Sequence, residues 1–339
     1  MNPSALRAGA VAPALAVTLV VVVVAGVTMA GGSITWTETV RSIADHLGLP
    51  VTPLPRLADS VVWQLRLPRV LLAAAAGAGL AVCGCVLQAV TRNVLAEPYL
   101  LGISSGASTG AVLVIVLGLG AGSVTLAGGA LVGGVVSFAL VFALMGRDTA
   151  DTSRVVLTGV VVGQLFAAVT SLVVTAWGDA DATRGITYWL LGSLAAARWS
   201  SVVVCVVVVV VATGVFVLLA PALDAFAFGH DAAVSLGIDV RLLRVTVLVG
   251  AAATTAAIVA AVGAIGFVGL VVPHAARMTV GPGHRLLLPV SALAGAVFLV
   301  VADLVGRLAL APHQIPVGVV TALVGVPAFL VLLRRGQRS

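Results

Sequence analysis

Few side chains in this 339-residue chain could do chemistry, and their spacing narrows what that chemistry is. Asp303 and Arg307 stand four apart in ADLVGR, which on a helix puts both on one face. A carboxylate deep in a membrane can serve a proton or cation relay. A relay needs a second buried carboxylate, and none accompanies it, so the spacing reads as a local ion pair near the outer end of a span. Glu97 stands beside Pro98, where a loop-end carboxylate is expected to be structural. His274 follows Pro273 in GFVGLVVPHAAR with no partner spaced to share a metal, and His46, His230, His284 and His313 are scattered. Cys83, Cys85 and Cys205 all lie in apolar runs and read as small buried hydrophobes. No Ser/His/Asp order or carboxylate pair makes a hydrolase, so the residues give no positive case for an enzyme. All 18 basic residues are Arg. Without a lysine there is no P-loop and no Schiff base. Any ATP that drives this protein must be hydrolysed by another chain.

The elements that position these residues follow from composition. The chain is 61% hydrophobic and 9% charged, with mean hydropathy +1.22. That excludes an ordinary soluble domain, at about 25% charged, and a disordered chain. At about 20 apolar residues per span, the chain holds roughly ten. They are predicted at 10–31, 62–90, 96–117, 122–145, 155–177, 200–220, 242–262, 264–278, 286–308 and 315–333. The first run is longer than a signal-peptide core of about 7–15 residues and is predicted to be an uncleaved span. The third and eighth are short, rich in Gly or broken by Pro, and are predicted to be partial spans lining a cavity. An even number of spans puts both termini on one side. If that side is the cytoplasm, the inner face carries eleven arginines and the outer face seven (41, 56, 66, 69, 184, 198 and 307), in the sense of the positive-inside rule. The net charge of +6 then reflects helix ends rather than a nucleic-acid partner.

Two loops are too long for simple turns. Residues 32–61 are expected outside. Residues 221–241, PALDAFAFGHDAAVSLGIDVR, are expected inside as a docking surface with a short helical stretch ending at Gly237. A faint repeat links LRLPRV at 65–70 to VRLLRV at 240–245. Five spans separate the copies, so the second is inverted, as in transporters built from inverted repeats. Gly77, Gly79 and Gly84 in one span would let helices approach closely.

Four stretches carry a family resemblance: RLPRVLLAAAAGAGLAVCGCVLQAVTRNVLAEPYLLGISSGAS at 66–108; TSRVVLTGVVVG at 152–163 with YWLLGSLAAARW at 188–199; FGHDAAVSLGI at 228–238; and the tail at 262–335, with GFVGLVVPHAAR and IPVGVVTALVGVPAF. They resemble the FecCD-type permease subunits of ABC importers for iron-siderophores, haem and vitamin B12. The resemblance implies an all-α integral membrane protein with the type II ABC importer permease fold. Residues 1–339 would form a single transmembrane permease domain with about ten helices. It implies a multi-pass protein of the cytoplasmic (inner) membrane with both termini in the cytoplasm. It also implies a dimer with a second permease, homo- or heteromeric, on two ATPase subunits that carry ATP and Mg, and an extracytoplasmic substrate-binding protein. No cofactor is implied in this chain.

Residue by residue, the resemblance makes Arg66, Arg69 and Arg307 the outward arginines that receive acidic groups of the binding protein. Gly229, His230, Asp231, Ala232, Ala233, Leu236 and Gly237 become the contact with the ATPase. Asn93, Val94 and Leu95, with Thr152 and Ser153, become the cytoplasmic gate; Val94 departs from the proline of the vitamin B12 relative, a change expected to loosen the backbone there. The expected cargo is a metal chelate, a ferric siderophore first, with haem and vitamin B12 open. It would move along an apolar path that leaves specificity to the binding protein. Two other readings are an ion-coupled secondary transporter using Asp303, and a non-transporting scaffold whose loop 221–241 binds a cytoplasmic partner.

Overall fold

Long apolar runs broken by Pro, Gly and charge become helices, because a chain in hydrocarbon must satisfy its backbone internally. The computed structural model describes residues 3–29, 34–118, 125–145 and 152–336. The helices are α1 (Pro3–Thr28), α2 (Trp36–His46), α3 (Arg56–Ser60), α4 (Leu67–Thr91), α5 (Ile103–Val116), α6 (Leu126–Met145), α7 (Thr152–Trp177) and α8 (Ala180–Leu190). They continue with α9 (Trp199–Leu218), α10 (Ala220–Ala227), α11 (His230–Ser235), α12 (Val240–Val262), α13 (Val268–Val280), α14 (His284–Leu308) and α15 (Val317–Gly336). Among the described residues, seven helical stretches are long and apolar enough to cross a membrane, and three shorter apolar helices complete the predicted ten.

The predicted partial spans are α5 and α13, 14 and 13 residues long. Each reaches about 20 Å, short of a hydrocarbon core of about 30 Å. Each follows a long helix through a break in the α-helical backbone: α4 leads into α5 through residues 92–102, which include a 3-10 turn at Pro98–Leu101, and α12 into α13 through 263–267. The two long–short pairs start from opposite ends of the bundle, which is the inverted relation suggested by the repeat at 65–70 and 240–245.

The loop expected at 32–61 contains α2 and α3. Thr35 and Glu38 form a reciprocal capping box at the start of α2. From α3 the helix runs without a break into α4 through a π-helical turn at Val61–Arg66. The cause is Pro68, which has no N–H for the usual ladder; the Leu67 amide donates to Val62 O, five residues back.

α4 forms the buried centre, packed by α14, α13, α9 and α12. Glycine permits this contact. A methyl group on Gly77 would lie 2.1 Å from Gly295 O, and one on Gly84 would lie 1.8 Å from Gly269 O. Pro273 in α13 leaves the Gly269 carbonyl without its helical donor, and Gln88 Nε2 of α4 supplies one at 3.3 Å. Cys83, Cys85 and Cys205 are buried and free, as expected.

The bundle is polar along its axis. α1 ends beside the start of α4, and α14 ends beside the start of α15, where the Ile315 amide donates to Gly306 O at 2.8 Å. Trp36, Trp63, Trp177, Trp189 and Trp199 all belong to this end, called here the tryptophan end. The loop 219–239 and residues 92–95 lie at the opposite end.

Candidate functional site

At the tryptophan end, α4 and α14 bring together side chains that are far apart in sequence. Asp303 is buried, and its carboxylate accepts from Arg69 Nε at 3.0 Å and from Arg69 Nη2 at 2.9 Å. Arg307 Nε lies 3.0 Å from the other oxygen, an ion contact without hydrogen-bond alignment. Arg69 Nη1 also donates to Gln314 at 2.8 Å. Arg66 Nη1 donates to Val27 O at 3.0 Å and to Thr28 O at 3.3 Å, the terminal carbonyls of α1. Cations belong at that helix end, where the macrodipole is negative.

The three predicted docking arginines therefore form one cluster, but their side chains are largely buried and bound within the chain. The expected Asp303–Arg307 pair is present and has a third member, Arg69, 234 residues away from Asp303. Arg307 Nη2, itself buried, has no hydrogen-bond acceptor among the described residues. One carboxylate between two guanidiniums is an anchored electrostatic lock, with little to support a relay: no second carboxylate joins the described contacts of Asp303.

At the opposite end, the loop after α9 folds as two short helices, α10 and α11. Asp224 of α10 fastens it to α14: its Oδ1 accepts from the His284 amide at 2.9 Å and lies 2.6 Å from His284 Nδ1. Gly229, at φ +118°, and Gly237, at φ +78°, bound α11, and these left-handed conformations suit glycine. Ala233 is buried and Ala232 half-buried, while Asp231 is exposed; the side chain of His230 lies outside the described residues. Phe228 is 84% exposed and Leu236 69%, with Val234 beside them. These three exposed apolar side chains make the loop a candidate interaction surface.

Next to it, Asn93, Val94 and Leu95 form a tight turn closing α4. Arg92 is left-handed at φ 49°, Asn93 Oδ1 accepts from the Leu95 amide at 2.9 Å, and the Ala96 amide donates to Asn93 O. Val94 and Leu95 are exposed. The loosening expected from Val94 in place of proline is countered by these bonds on either side of it. Thr152 and Ser153 open α7, and their side chains lie outside the described residues. Farther along α7, Gln164, Ser171 and Thr175 lie in one exposed stripe, a polar line on an otherwise apolar helix. Glu97 ties the turn to the bundle, its Oε2 accepting from the Phe267 amide at 3.3 Å at the start of α13.

Sequence spacing missed Arg69–Asp303, Asp224–His284 and Glu97–Phe267, because no local pattern signals a pair made by distant segments. Phe228 could have been found: it precedes Gly229 in the quoted loop. Among the described residues no group of His, Cys, Asp and Glu is arranged to hold a metal.

Comparisons with known proteins agree with this architecture. The model described as the FecCD transport family matches residues 17–335. The cobalamin import system permease protein of Halobacterium salinarum is 40% identical, covering 98% of this chain and 90% of that protein. The vitamin B12 import system permease protein of Vibrio cholerae is 41% identical over 86% of this chain and 87% of its own length. The hemin transport system permease protein of Yersinia pestis is 38% identical over 82% and 85%. A solved structure of a metal-chelate type ABC transporter in an inward-facing conformation shares 31% identity with a TM-score of 0.82, covering 96% of this chain and 98% of that one.

Proposed function

The chain belongs to the FecCD transport family, and from that membership we propose that it is the membrane permease of an importer for a tetrapyrrole-type metal chelate, cobalamin first and haem second. The sequence expectation placed a ferric siderophore first. Two of the relatives above are named for cobalamin or vitamin B12 and one for hemin, and this moves the preference. The apolar, nearly charge-free spans suit a path that holds a large chelate weakly.

The observation that carries the reading is the loop at residues 219–239. Its apolar Phe228, Val234 and Leu236 are presented to solvent, and Asp224 fastens its base to α14. That is the form of a contact for a soluble partner, here the ATPase that a lysine-free chain requires. The turn at Asn93–Leu95, with Thr152 and Ser153 at the start of α7, is proposed as the gate on that side. The exposed Gln164 amide of the α7 stripe favours a second permease or the pathway over lipid as its neighbour, since an exposed amide is costly against hydrocarbon, whereas the Ser171 and Thr175 hydroxyls donate within the helix. The arginine cluster at the tryptophan end is proposed to receive the substrate-binding protein. An incoming carboxylate would displace Gln314 from Nη1 of Arg69, the exposed edge of the cluster. This orientation puts both termini in the cytoplasm.

The test is co-purification from the native host. A P-loop ATPase recovered with the chain, and lost on Phe228→Asp or Leu236→Asp without a change in melting temperature, is the expected result. A homo-oligomer without ATPase, under conditions that preserve a control ABC complex, would overturn the importer reading and restore ion coupling. Uptake of cyanocobalamin, hemin and a ferric siderophore by the reconstituted complex then ranks the cargo.

A further inference from the structure

A lateral groove of about 640 Å³ opens between α9 and α12 in the half of the bundle away from the tryptophan end. Its origin is residue size. Phe216 is buried and forms the floor, while Ala212, Gly250 and Ala253 leave the space above it open. Val207, Val211 and Val215 form the α9 wall. A second recess of about 240 Å³, between α6, α9 and α12, continues the same faces of α9 and α12 toward the tryptophan end.

Two observations identify an occupant. α9 has the highest hydropathy of the long spans, 3.1, and its exposed face is valine after valine. It lacks the polar stripe of α7, so its neighbour is hydrocarbon rather than water or a polar protein surface. The other observation is charge. Arg241 stands one helical turn before Val245 of the groove, on the same side of α12, at the level where the span ends. It is exposed and makes no hydrogen bond or ion pair among the described residues. Arg244, by contrast, is buried against the Phe226 ring. An apolar trough ending at an open guanidinium matches an acyl chain ending at a phosphate.

We propose that this groove is a binding site for an anionic phospholipid of the leaflet away from the tryptophan end, one acyl chain lying between α9 and α12 and the headgroup phosphate held by Arg241. The site stands on the membrane embedding of the chain and is independent of which solute is carried.

The test uses the full-length protein in nanodiscs of equimolar phosphatidylethanolamine and phosphatidylglycerol, with retained lipid measured by native mass spectrometry after mild delipidation. Wild type is expected to keep bound phosphatidylglycerol. Val211→Trp and Ala253→Phe fill the groove from opposite walls, and either is expected to remove that lipid while the melting temperature holds. Arg241→Gln is expected to retain lipid but lose the preference for phosphatidylglycerol by about fivefold, the equivalent of about 1 kcal/mol for one arginine at an anionic surface. Undiminished phosphatidylglycerol on a folded groove-filling variant overturns the site, and an unchanged lipid preference in Arg241→Gln overturns the headgroup assignment. The two filling variants act on different helices, so misfolding of one leaves the other as the test.

Discussion

Asp303 is one buried carboxylate serving two guanidiniums, so it is worth more than either partner. Its replacement by Asn leaves Arg69 and Arg307 facing each other without a counter-charge. Breaking a buried pair in this way costs about 3–5 kcal/mol. Asp303→Asn is therefore expected to lower the melting temperature in detergent sharply, and transport should fall only in proportion to the folded protein that remains. Loss of ion coupling with undiminished stability would instead make Asp303 a relay. The Arg307 member of this lock was legible as an i,i+4 spacing. Arg69 was not, because 234 residues lie between it and Asp303 and only packing of α4 on α14 brings them together.

At the scale of the element, the contact between α4 and α13 has no room for a side chain at Gly84, where a methyl would lie 1.8 Å from backbone oxygen. Gly84→Val is expected to abolish folded protein in a detergent size-exclusion profile, and Gly84→Ala to give a reduced yield. If Gly84→Ala matches wild type in yield and melting temperature, the close approach is wrong. On α2, outside the membrane, hydrogen bonds from the Thr35 amide and hydroxyl hold the Glu38 carboxyl below the usual carboxylate range. A lowered folded value stabilises the helix above the unfolded value of about 4.3, and that contribution is lost as pH falls through the folded value. Amide exchange at the start of α2, corrected for intrinsic rates, should therefore rise below pH about 4, and Glu38→Gln should remove the dependence. The glycines were visible in the sequence as a run of small residues, but their partners were not.

For the whole molecule, α14 links two candidate surfaces. Its first residue, His284, is fastened to the loop through Asp224, and Asp303 near its other end holds the arginine cluster. Twenty-five residues of helix span about 37 Å, so one rigid element connects the proposed partner contacts on opposite faces. Tryptophan at one end and the apolar loop at the other give the bundle a testable direction. The three native cysteines are buried, so background labelling should be low. A cysteine at Leu47, which is 69% exposed, is expected to react with a membrane-impermeant maleimide in intact cells. One at Leu236 should react only after the cells are opened and the ATPase is stripped from the membrane. The reverse pattern would invert the proposed topology.

The class, the approximate spans, the two shortened ones and the long loop at 221–241 were legible in the sequence. Hydropathy and Pro/Gly breaks act over one or two helical turns, so they can be read locally. The sequence also carried the family resemblance, because motifs such as GFVGLVVPHAAR are contiguous. Only the tertiary structure decided which polar groups meet. Arg69 with Asp303, Gln88 with Gly269 and Asp224 with His284 are 234, 181 and 60 residues apart. In a bundle of nearly uniform aliphatic helices, hydropathy does not distinguish one neighbour from another. The neighbours are selected by where glycine allows two backbones to touch and where a buried charge or an orphaned carbonyl requires a partner.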